Sequence, residues 1–264
     1  GKQRNRGFYP HGCSARKEMT MLYFDEYGNR DNPTILLLHG AGALDTFCNQ
    51  YCFSARYHLI VPHLYGAGKS ADKVYDPDMM KRELLELIDS LHKEKIGVIG
   101  HSLGGQLAIM LVCERSSQFR FAVFLSAWVN PNPKTVKMYC SLAGMAAKML
   151  HIKWLVRFQG KYWNYTKEQA EYMADYSRLI TPQIYRSFFA NTLDLRNAPT
   201  YLSVKVPMLA ICGSGEVKDM KLSLDMLGKN TCCQTMILPR AGHDFPMRNS
   251  SQLNTVLNDF LLGK

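Results

Sequence analysis

The segment Gly100–Gly104, which reads Gly-His-Ser-Leu-Gly, could present a serine hydroxyl as a nucleophile. The apolar run 96–99 precedes it and predicts a strand, and residues 106–112 follow it with the apolar character of a helix. A sharp strand-to-helix turn strains the central residue and pushes its side chain out above the sheet, while flanking glycines avoid clashes with the strand and helix. We therefore predict that Ser102 is a nucleophile rather than part of a structural glycine-rich turn.

A serine hydroxyl is a weak nucleophile at neutral pH, so it needs a base within hydrogen-bond distance. Of the eight histidines, His243 is the best candidate, because it lies between the last predicted strand and the last predicted helix. A loop at that point belongs to the carboxyl edge of the sheet, where Ser102 is also expected. His101 is adjacent to Ser102 but points away from the side on which a base approaches, and we interpret it as a packing or supporting residue.

The base in turn needs a carboxylate that orients it. We expect this acid after a strand, between the serine and the histidine in chain order. The strand 208–212 leads to Glu216 and Asp219, whereas no acid follows the strand that ends at Leu125. We favour Glu216, which lies three residues after Gly213, and Asp219 stays open as the alternative because it is close to the next predicted helix.

Acyl chemistry also requires backbone N–H groups that stabilise the developing oxyanion. One is expected from Leu103, directly after the serine. The other is expected from the loop after the buried strand 35–38, where small residues in the segment 40–43 let the main chain approach a substrate closely. We assign Ala41 as this second donor.

These residues meet only if strands and helices alternate along the chain. Apolar runs predict strands at 22–27, 35–38, 57–61, 96–99, 121–125, 207–212 and 236–238, and amphipathic or capped segments predict helices at 79–92 and 251–262. The first of these runs ends in a Gly-Asn turn signal and is either a strand or part of a hairpin. The alternation predicts an α/β fold with a mostly parallel sheet and helices on both faces.

Between Asn130 and Val206 the alternation stops, and the sequence is helical in pattern and rich in aromatic residues. We predict three parts of the chain: a basic N-terminal arm over 1–20, a core over 21–130 and 205–264, and an inserted helical cap over 131–204. Single aromatic residues of such a cap usually pack its own core, but together they indicate an apolar pocket. Trp128, Trp154 and Trp163 are the candidate substrate-binding residues.

The composition restricts the partners and the compartment. The net charge of +10 is concentrated in residues 1–20 and 131–200, but no nucleic-acid-binding motif accompanies it, so we expect no nucleic-acid partner. No apolar run reaches the roughly 18–20 residues of a membrane span, and we expect no stable membrane insertion. The basic start has no apolar core typical of a secretory signal, and the eight cysteines show no metal-site spacing. We expect free thiols and a cytoplasmic protein.

Taken together, these motifs resemble those of α/β-hydrolase-fold serine hydrolases of the capped, esterase-like type. The resemblance covers about residues 31–130 and 205–262 and is carried by the segments 38–40, 66–70, 100–105, 213–216 and 241–243. It implies a Ser-acid-His triad in which Glu216 matches the acid, where the family more often has Asp. It implies no cofactor, since water is the co-substrate, and the Cys and His spacing separately predicts no metal site. His63 departs from the family pattern, which usually has Asp at this position.

The expected activity is hydrolysis of carboxylic esters of small to medium apolar substrates through an acyl-enzyme. The same triad also serves hydrolases of C–C bonds, thioesters or amides and acyltransferases, and these stay open as alternatives. A ligand receptor with little turnover is a further alternative from another class. In each case the partner is a small apolar ester or acyl molecule.

Overall fold

The computed structural model describes residues 22–263, so the predicted basic arm over 1–20 lies outside the described residues. Within these residues, seven strands form one sheet: β1 (Phe24–Tyr27), β2 (Thr34–Leu38), β3 (His58–Pro62), β4 (Ile96–His101), β5 (Phe119–Leu125), β6 (Met208–Gly213) and β7 (Cys233–Leu238). Their order across the sheet is β1-β3-β2-β4-β5-β6-β7. Every neighbouring pair is parallel except β1 with β3, which confirms the predicted α/β fold with a mostly parallel sheet.

From β3 onward, each strand is followed by one or more α-helices. They are α1 (Pro77–Ser90), α2 (Leu103–Arg115), α3 (Pro133–Leu150), α4 (Lys153–Tyr162), α5 (Lys167–Tyr176), α6 (Pro182–Ala190), α7 (Lys218–Leu227), α8 (Phe245–Arg248) and α9 (Ser250–Leu261). Helix α1 begins at Pro77, two residues before its predicted start at Met79. The Asp76 side chain caps it by accepting hydrogen bonds from the amides of Asp78 and Met79, and Pro77 occupies the first helical position.

The central strands are buried on both faces. In β2, Leu36 belongs to a hydrophobic cluster that includes Leu84 of α1 and Leu107 of α2, whereas Leu37 belongs to a second cluster that includes Leu253 of α9. Helices therefore cover both faces of the sheet, and this is why β2 is an unbroken run of apolar residues.

Two ends of the sheet differ from the sequence prediction. Strand β1 does not form a hairpin with β2 but pairs antiparallel with β3, and it ends at a turn where Gly28 has a φ of +86°. Strand β7 begins at Cys233, three residues before its predicted start at Met236. Strand β7 lies at the edge of the sheet, so its four middle residues are exposed, and two of them are polar. It therefore lacks the unbroken apolar run that predicts a central strand.

Helices α3 to α6 lie between β5 and β6, and the described residues 126–207 contain no strand. This segment contacts the loop after β2: the Tyr176 hydroxyl accepts a hydrogen bond from the Leu44 amide and donates one to the Gly42 carbonyl. The division of the chain into a core and a cap over 131–204 stays a prediction. Within residues 22–263, no helix has both the length and the apolar character that a membrane crossing requires.

Candidate active site

Ser102 lies at the sharp turn between β4 and α2, with φ of 53° and ψ of −117°. This backbone conformation is strained for a residue with a side chain. The turn is possible because Gly100 and Gly104 lack side chains: a Cβ on Gly100 would overlap the Gly104 carbonyl, and one on Gly104 would overlap the Leu38 carbonyl of β2. The two glycines thus hold the strand, the helix and β2 at close approach, and the serine projects from the carboxyl edge of the sheet.

The structure brings His243 to Ser102. His243 lies in the loop between β7 and α8, and its Nε2 is 3.0 Å from the Ser102 Oγ. The loop is held against the segment after β6, because the Gly215 amide donates to the Ala241 carbonyl at 2.9 Å and Gly213 leaves no room there for a side chain. The imidazole is half-exposed, so the Ser-His pair can be reached from solvent.

Glu216 completes the arrangement on the other side of the imidazole. Its Oε2 lies 2.8 Å from the His243 Nδ1, and its Oε1 accepts hydrogen bonds from the Ser126 hydroxyl and, at 2.8 Å, from the Gly213 amide. Burial by itself would raise the pKa of the Glu216 carboxyl, but the hydrogen bonds and charge of His243 and the two further donors outweigh it and hold this pKa below its ordinary value. The Glu216 carboxyl is therefore ionised, and it lies where it can orient the His243 imidazole.

Asp219, the alternative acid, lies elsewhere. It belongs to the first turn of α7, and its Oδ2 accepts a hydrogen bond from the Thr135 hydroxyl of α3 at 3.4 Å. Between Glu216 and Asp219, which the sequence left open, the structure places only the Glu216 carboxylate at hydrogen-bond distance from His243.

Sequence reasoning missed Ser126, which follows β5 at the carboxyl edge of the sheet. Its φ of 48° is unusual for a residue with a side chain, and its amide donates to the Ile211 carbonyl of β6 at 2.7 Å. This backbone position turns the hydroxyl toward Glu216. The available signal was a polar residue directly after a buried strand, at the point where the sequence offered no acid.

The two candidate oxyanion donors belong to two segments that approach Ser102. Leu103 is the first residue of α2, so its amide has no acceptor within the helix. Gly40, next to Ala41, approaches Ser102 so closely that a Cβ on it would lie 3.7 Å from the serine Cβ. Within residues 22–263, neither the Ala41 nor the Leu103 amide donates a hydrogen bond to another group, so both are free to bind an oxyanion.

Three contacts hold the loop that carries Ala41. The His39 ring is buried. Its Nδ1 forms a hydrogen bond with the Gly40 carbonyl at 2.7 Å, and its Nε2 accepts a hydrogen bond from the Leu64 amide. The Thr46 hydroxyl accepts the Gly40 amide at 3.2 Å. Because these groups fix the backbone before any ligand arrives, the loop needs no rearrangement to present its free amide.

His101 is buried beneath the His243 loop and takes no part in the contacts of Ser102. Its Nε2 donates to the His243 carbonyl at 2.8 Å, and its Nδ1 is buried with no partner among the described residues. Burial, reinforced by the charge of His243, lowers the pKa of His101 to about 3, so the ring is neutral. His101 thus supports the loop that carries the candidate base.

The buried histidines predict a loss of stability in acid. Burial also lowers the pKa of His39 to about 4, so below pH 6.5 the unfolded chain binds protons that the folded chain excludes. The free energy of unfolding should fall on acidification from pH 6.5 toward 4 by about 1.4 kcal/mol per pH unit for each of the two rings. His101→Gln keeps a donor and should remove about half of this slope, as denaturant unfolding at several pH values would measure; an unchanged slope would contradict the assignment.

The three tryptophans lie in different environments. Trp128 follows β5 and is half-buried, with its ring edge-on to Tyr139 of α3 and its indole nitrogen buried without a partner among the described residues. Trp163 directly follows α4 and packs against the second hydrophobic cluster and Tyr165. Trp154 is 68% exposed on α4, which places it on the outer surface and not in an enclosed pocket.

Comparison with known proteins gives the class. The family model described as the alpha/beta hydrolase family matches residues 35–254, and the chain belongs to this family. The family and its hydrolase and esterase relatives define an enzyme that hydrolyses esters or related bonds. The predicted resemblance to this fold is thereby confirmed.

Individual relatives are distant. A protein of Caulobacter sp. (strain K31) named "Putative carbamate hydrolase RutD" is 22% identical over 92% of this chain and 96% of its own length. The monoglyceride lipase of Mus musculus is 27% identical over 54% of this chain and 49% of its own length. Among solved structures, the enol-lactonase from Burkholderia xenovorans LB400 has a TM-score of 0.73 at 18% identity, covering 91% of this chain and 96% of that one, and shows the same fold.

Proposed function

We propose that this protein is a serine hydrolase that cleaves carboxylic esters of small to medium apolar substrates. The observation that carries the proposal is the continuous set of contacts from the Ser102 hydroxyl through both ring nitrogens of His243 to the Glu216 carboxylate, at 3.0 and 2.8 Å. This arrangement is what a nucleophile, its base and the group that orients the base require.

In the proposed acylation step, the Ser102 Oγ attacks the ester carbonyl carbon while His243 Nε2 takes the hydroxyl proton. The carbonyl oxygen becomes an oxyanion and accepts hydrogen bonds from the Ala41 and Leu103 amides. His243 then gives its proton to the leaving alcohol, and the C–O bond breaks to leave an acyl-serine. Glu216 remains ionised and stabilises the imidazolium that forms between the two transfers.

Deacylation repeats these steps with water as the nucleophile. His243 takes a proton from the water, the resulting hydroxide attacks the acyl carbon, and the Ser102 oxygen leaves and recovers its proton. The half-exposed imidazole supports this step, because water must reach Nε2 after the alcohol has departed. No metal or cofactor enters the proposed reaction.

Glu216→Gln is expected to lower kcat by about 10⁴-fold, because the amide no longer holds the imidazole in the required tautomer or stabilises its charged form. Asp219→Asn is the matched control and should leave kcat nearly unchanged, since Asp219 contacts Thr135. The measurement is steady-state hydrolysis of a soluble p-nitrophenyl ester. A large loss in Asp219→Asn with a small loss in Glu216→Gln would assign the acid to the other residue.

Trp128 is the proposed substrate contact near the site. Its buried indole N–H has no acceptor among the described residues, and a ligand oxygen would satisfy it. Trp128→Phe keeps the packing against Tyr139 and should raise KM several-fold with little change in kcat or Tm. If Tm fell and KM stayed constant, Trp128 would be a packing residue of the cap boundary.

A carbamate is the second candidate substrate, because the relative matched over most of this chain is named a carbamate hydrolase. A carbamate presents a carbonyl to the same nucleophile and oxyanion donors. The proposed mechanism would therefore be the same, and the two candidates differ only in whether the substrate is an ester or a carbamate.

The experiment is a panel of p-nitrophenyl esters of increasing acyl length together with a p-nitrophenyl carbamate, preceded by fluorophosphonate labelling. We expect labelling at Ser102 and the highest kcat/KM with short to medium acyl chains. Labelling without turnover of any ester, or no labelling at all, would contradict an ester hydrolase and favour a ligand receptor.

Seven of the eight cysteines lie in the described residues and each is free, while Cys13 lies outside them. These thiols support our proposal of a reducing, cytoplasmic compartment.

A further inference from the structure

Helix α3 exposes four of its large apolar side chains to solvent. Met138, Leu142, Met145 and Met149 recur every three or four residues, form one stripe along the helix, and are all exposed, Met145 to 59%. The opposite side of the helix is buried through small residues such as Ala143. An ordinary surface helix exposes polar side chains, so a line of four large apolar residues on the solvent side is unusual.

The next helix continues the apolar surface. Ile152, exposed between the two helices, leads into α4, where Trp154 and Phe158 are 68% and 65% exposed and lie one turn apart. We call the surface formed by Met138, Leu142, Met145, Met149, Trp154 and Phe158 the α3–α4 face. Single exposed apolar residues are common, but six large ones on two successive helices indicate a contact surface.

The charge of this region is of one sign. Residues 131–166 contain six Lys and Arg and no Asp or Glu. Lys153 and Arg157 pair with Asp175 and Glu171 of α5. Among residues 22–263, the remaining four, which are Lys134, Lys137, Lys148 and Lys161, form no ion pair and are exposed.

The free lysines flank the apolar stripe. At 100° per residue along α3, Lys137 and Lys148 project on the same side of the helix, beside the line of Met138, Met145 and Met149. Their ammonium groups can therefore reach negative charges at the same surface into which the methionines are pressed.

We propose that the α3–α4 face is a docking surface for a membrane that contains anionic phospholipids. Apolar side chains on one line, an exposed Trp and flanking lysines are the combination with which helices lie in the headgroup region of a bilayer. The lysines contact the lipid phosphates, and the methionines, Trp154 and Phe158 enter the acyl boundary.

A second copy of this chain fits the surface less well. A symmetric dimer contacts itself through the same patch on both subunits, so the unpaired lysines of one copy would face those of the other. An anionic lipid surface has the opposite charge, and its attraction adds to the burial of the apolar side chains.

The face is connected to the candidate active site. Tyr162, at the end of α4, accepts a hydrogen bond from Arg248 at 3.0 Å, and the Arg248 guanidinium lies 4.4 Å from its ring centre. Arg248 ends α8, which directly follows the His243 loop. If the proposed function holds, docking gives the enzyme access to an ester substrate that is dissolved in the bilayer.

The first experiment measures binding alone, with the Ser102→Ala protein so that turnover plays no part. Sedimentation is compared with vesicles of phosphatidylcholine and with vesicles of phosphatidylcholine mixed with phosphatidylserine, at low and high salt. We expect binding to the mixed vesicles at low salt and a several-fold loss without phosphatidylserine or at high salt. No binding to the mixed vesicles, or equal binding to both, overturns the proposal.

Variants then locate the surface. Met145→Glu and Phe158→Glu should each abolish most of the binding, and Lys137→Gln and Lys148→Gln should each weaken it about fivefold. The matched controls are Leu202→Glu and Lys205→Gln, both exposed ahead of β6 at the amino ends of the strands. The controls should bind as the parent does, and loss of binding in the controls but not in the face variants overturns the proposal.

The same four face substitutions in the otherwise unaltered enzyme should leave hydrolysis of a soluble p-nitrophenyl ester unchanged. This readout separates the two proposals: absent hydrolysis in the unaltered enzyme refutes the proposed function, whereas absent vesicle binding refutes the docking surface. If size-exclusion chromatography shows a dimer that Met145→Glu and Phe158→Glu convert to a monomer, a second copy covers this face and the docking proposal is wrong.

Discussion

Replacing Ser102 by alanine should lower kcat for an activated ester by roughly 10⁶-fold, because the proposed acyl-enzyme forms on its hydroxyl. The backbone conformation at this position, with φ of 53°, does not depend on the hydroxyl, so the fold should survive. Fluorophosphonate labelling should disappear together with the activity. The measurements are kcat on a soluble p-nitrophenyl ester, labelling detected by mass spectrometry, and Tm.

Ser251→Ala is the matched control for this substitution. Ser251 is an exposed serine in α9, and its loss should change neither kcat nor labelling. If the Ser102→Ala protein were labelled to the full extent, the nucleophile would be another residue. Retained Tm with lost labelling assigns the loss to the hydroxyl and not to unfolding.

Replacing His243 by alanine should reduce kcat by a similar factor, roughly 10⁶-fold, since the Ser102 hydroxyl then has no base. The residues of such a unit act together, so the double variant Ser102→Ala/His243→Ala should be no slower than either single variant. A small amine or imidazole added to the assay should restore part of the activity of the His243→Ala variant, but none in the Ser102→Ala variant or the double variant. The measurement is kcat over a range of added imidazole concentrations.

His101→Gln is the control that distinguishes the two neighbouring histidines. His101 contacts the His243 carbonyl and not the Ser102 hydroxyl, so its replacement should cost far less activity than the loss of His243. A larger loss in His101→Gln than in His243→Ala would mean that the base has been wrongly assigned. If the two variants have equal Tm values, the difference in kcat arises from the loss of the catalytic base and not from a loss of stability.

The sequence by itself determined the parts of the molecule that depend on contiguous residues. The apolar run of β2 can be buried only between two layers, and the Gly-His-Ser-Leu-Gly segment permits a turn that larger residues would block. The order of strands and helices then required a mostly parallel sheet, because parallel strands need helical crossovers. These features follow from local sterics and from the periodicity of apolar residues.

The helices between β5 and β6 were predicted only as a pattern. On α3, the inner side includes the small buried residues Ala143 and Ala147, while the large residue Met145 faces outward. The aromatic residues of this segment, taken together, indicated an apolar pocket and made Trp154 a candidate to line it, but Trp154 is 68% exposed. Which side of an amphipathic helix is buried depends on what packs against it, and that information is not local.

Only the tertiary structure decided which distant side chains meet. Glu216 and Asp219 are three residues apart and both follow β6, yet α7 begins at Lys218 and directs Asp219 to Thr135 while Glu216 reaches His243. Ser126 contacts Glu216 across 90 residues of sequence, because β5 and β6 are neighbours in the sheet. Strand register and loop geometry set these contacts within ångströms, and residue types along a chain carry no distances of that kind.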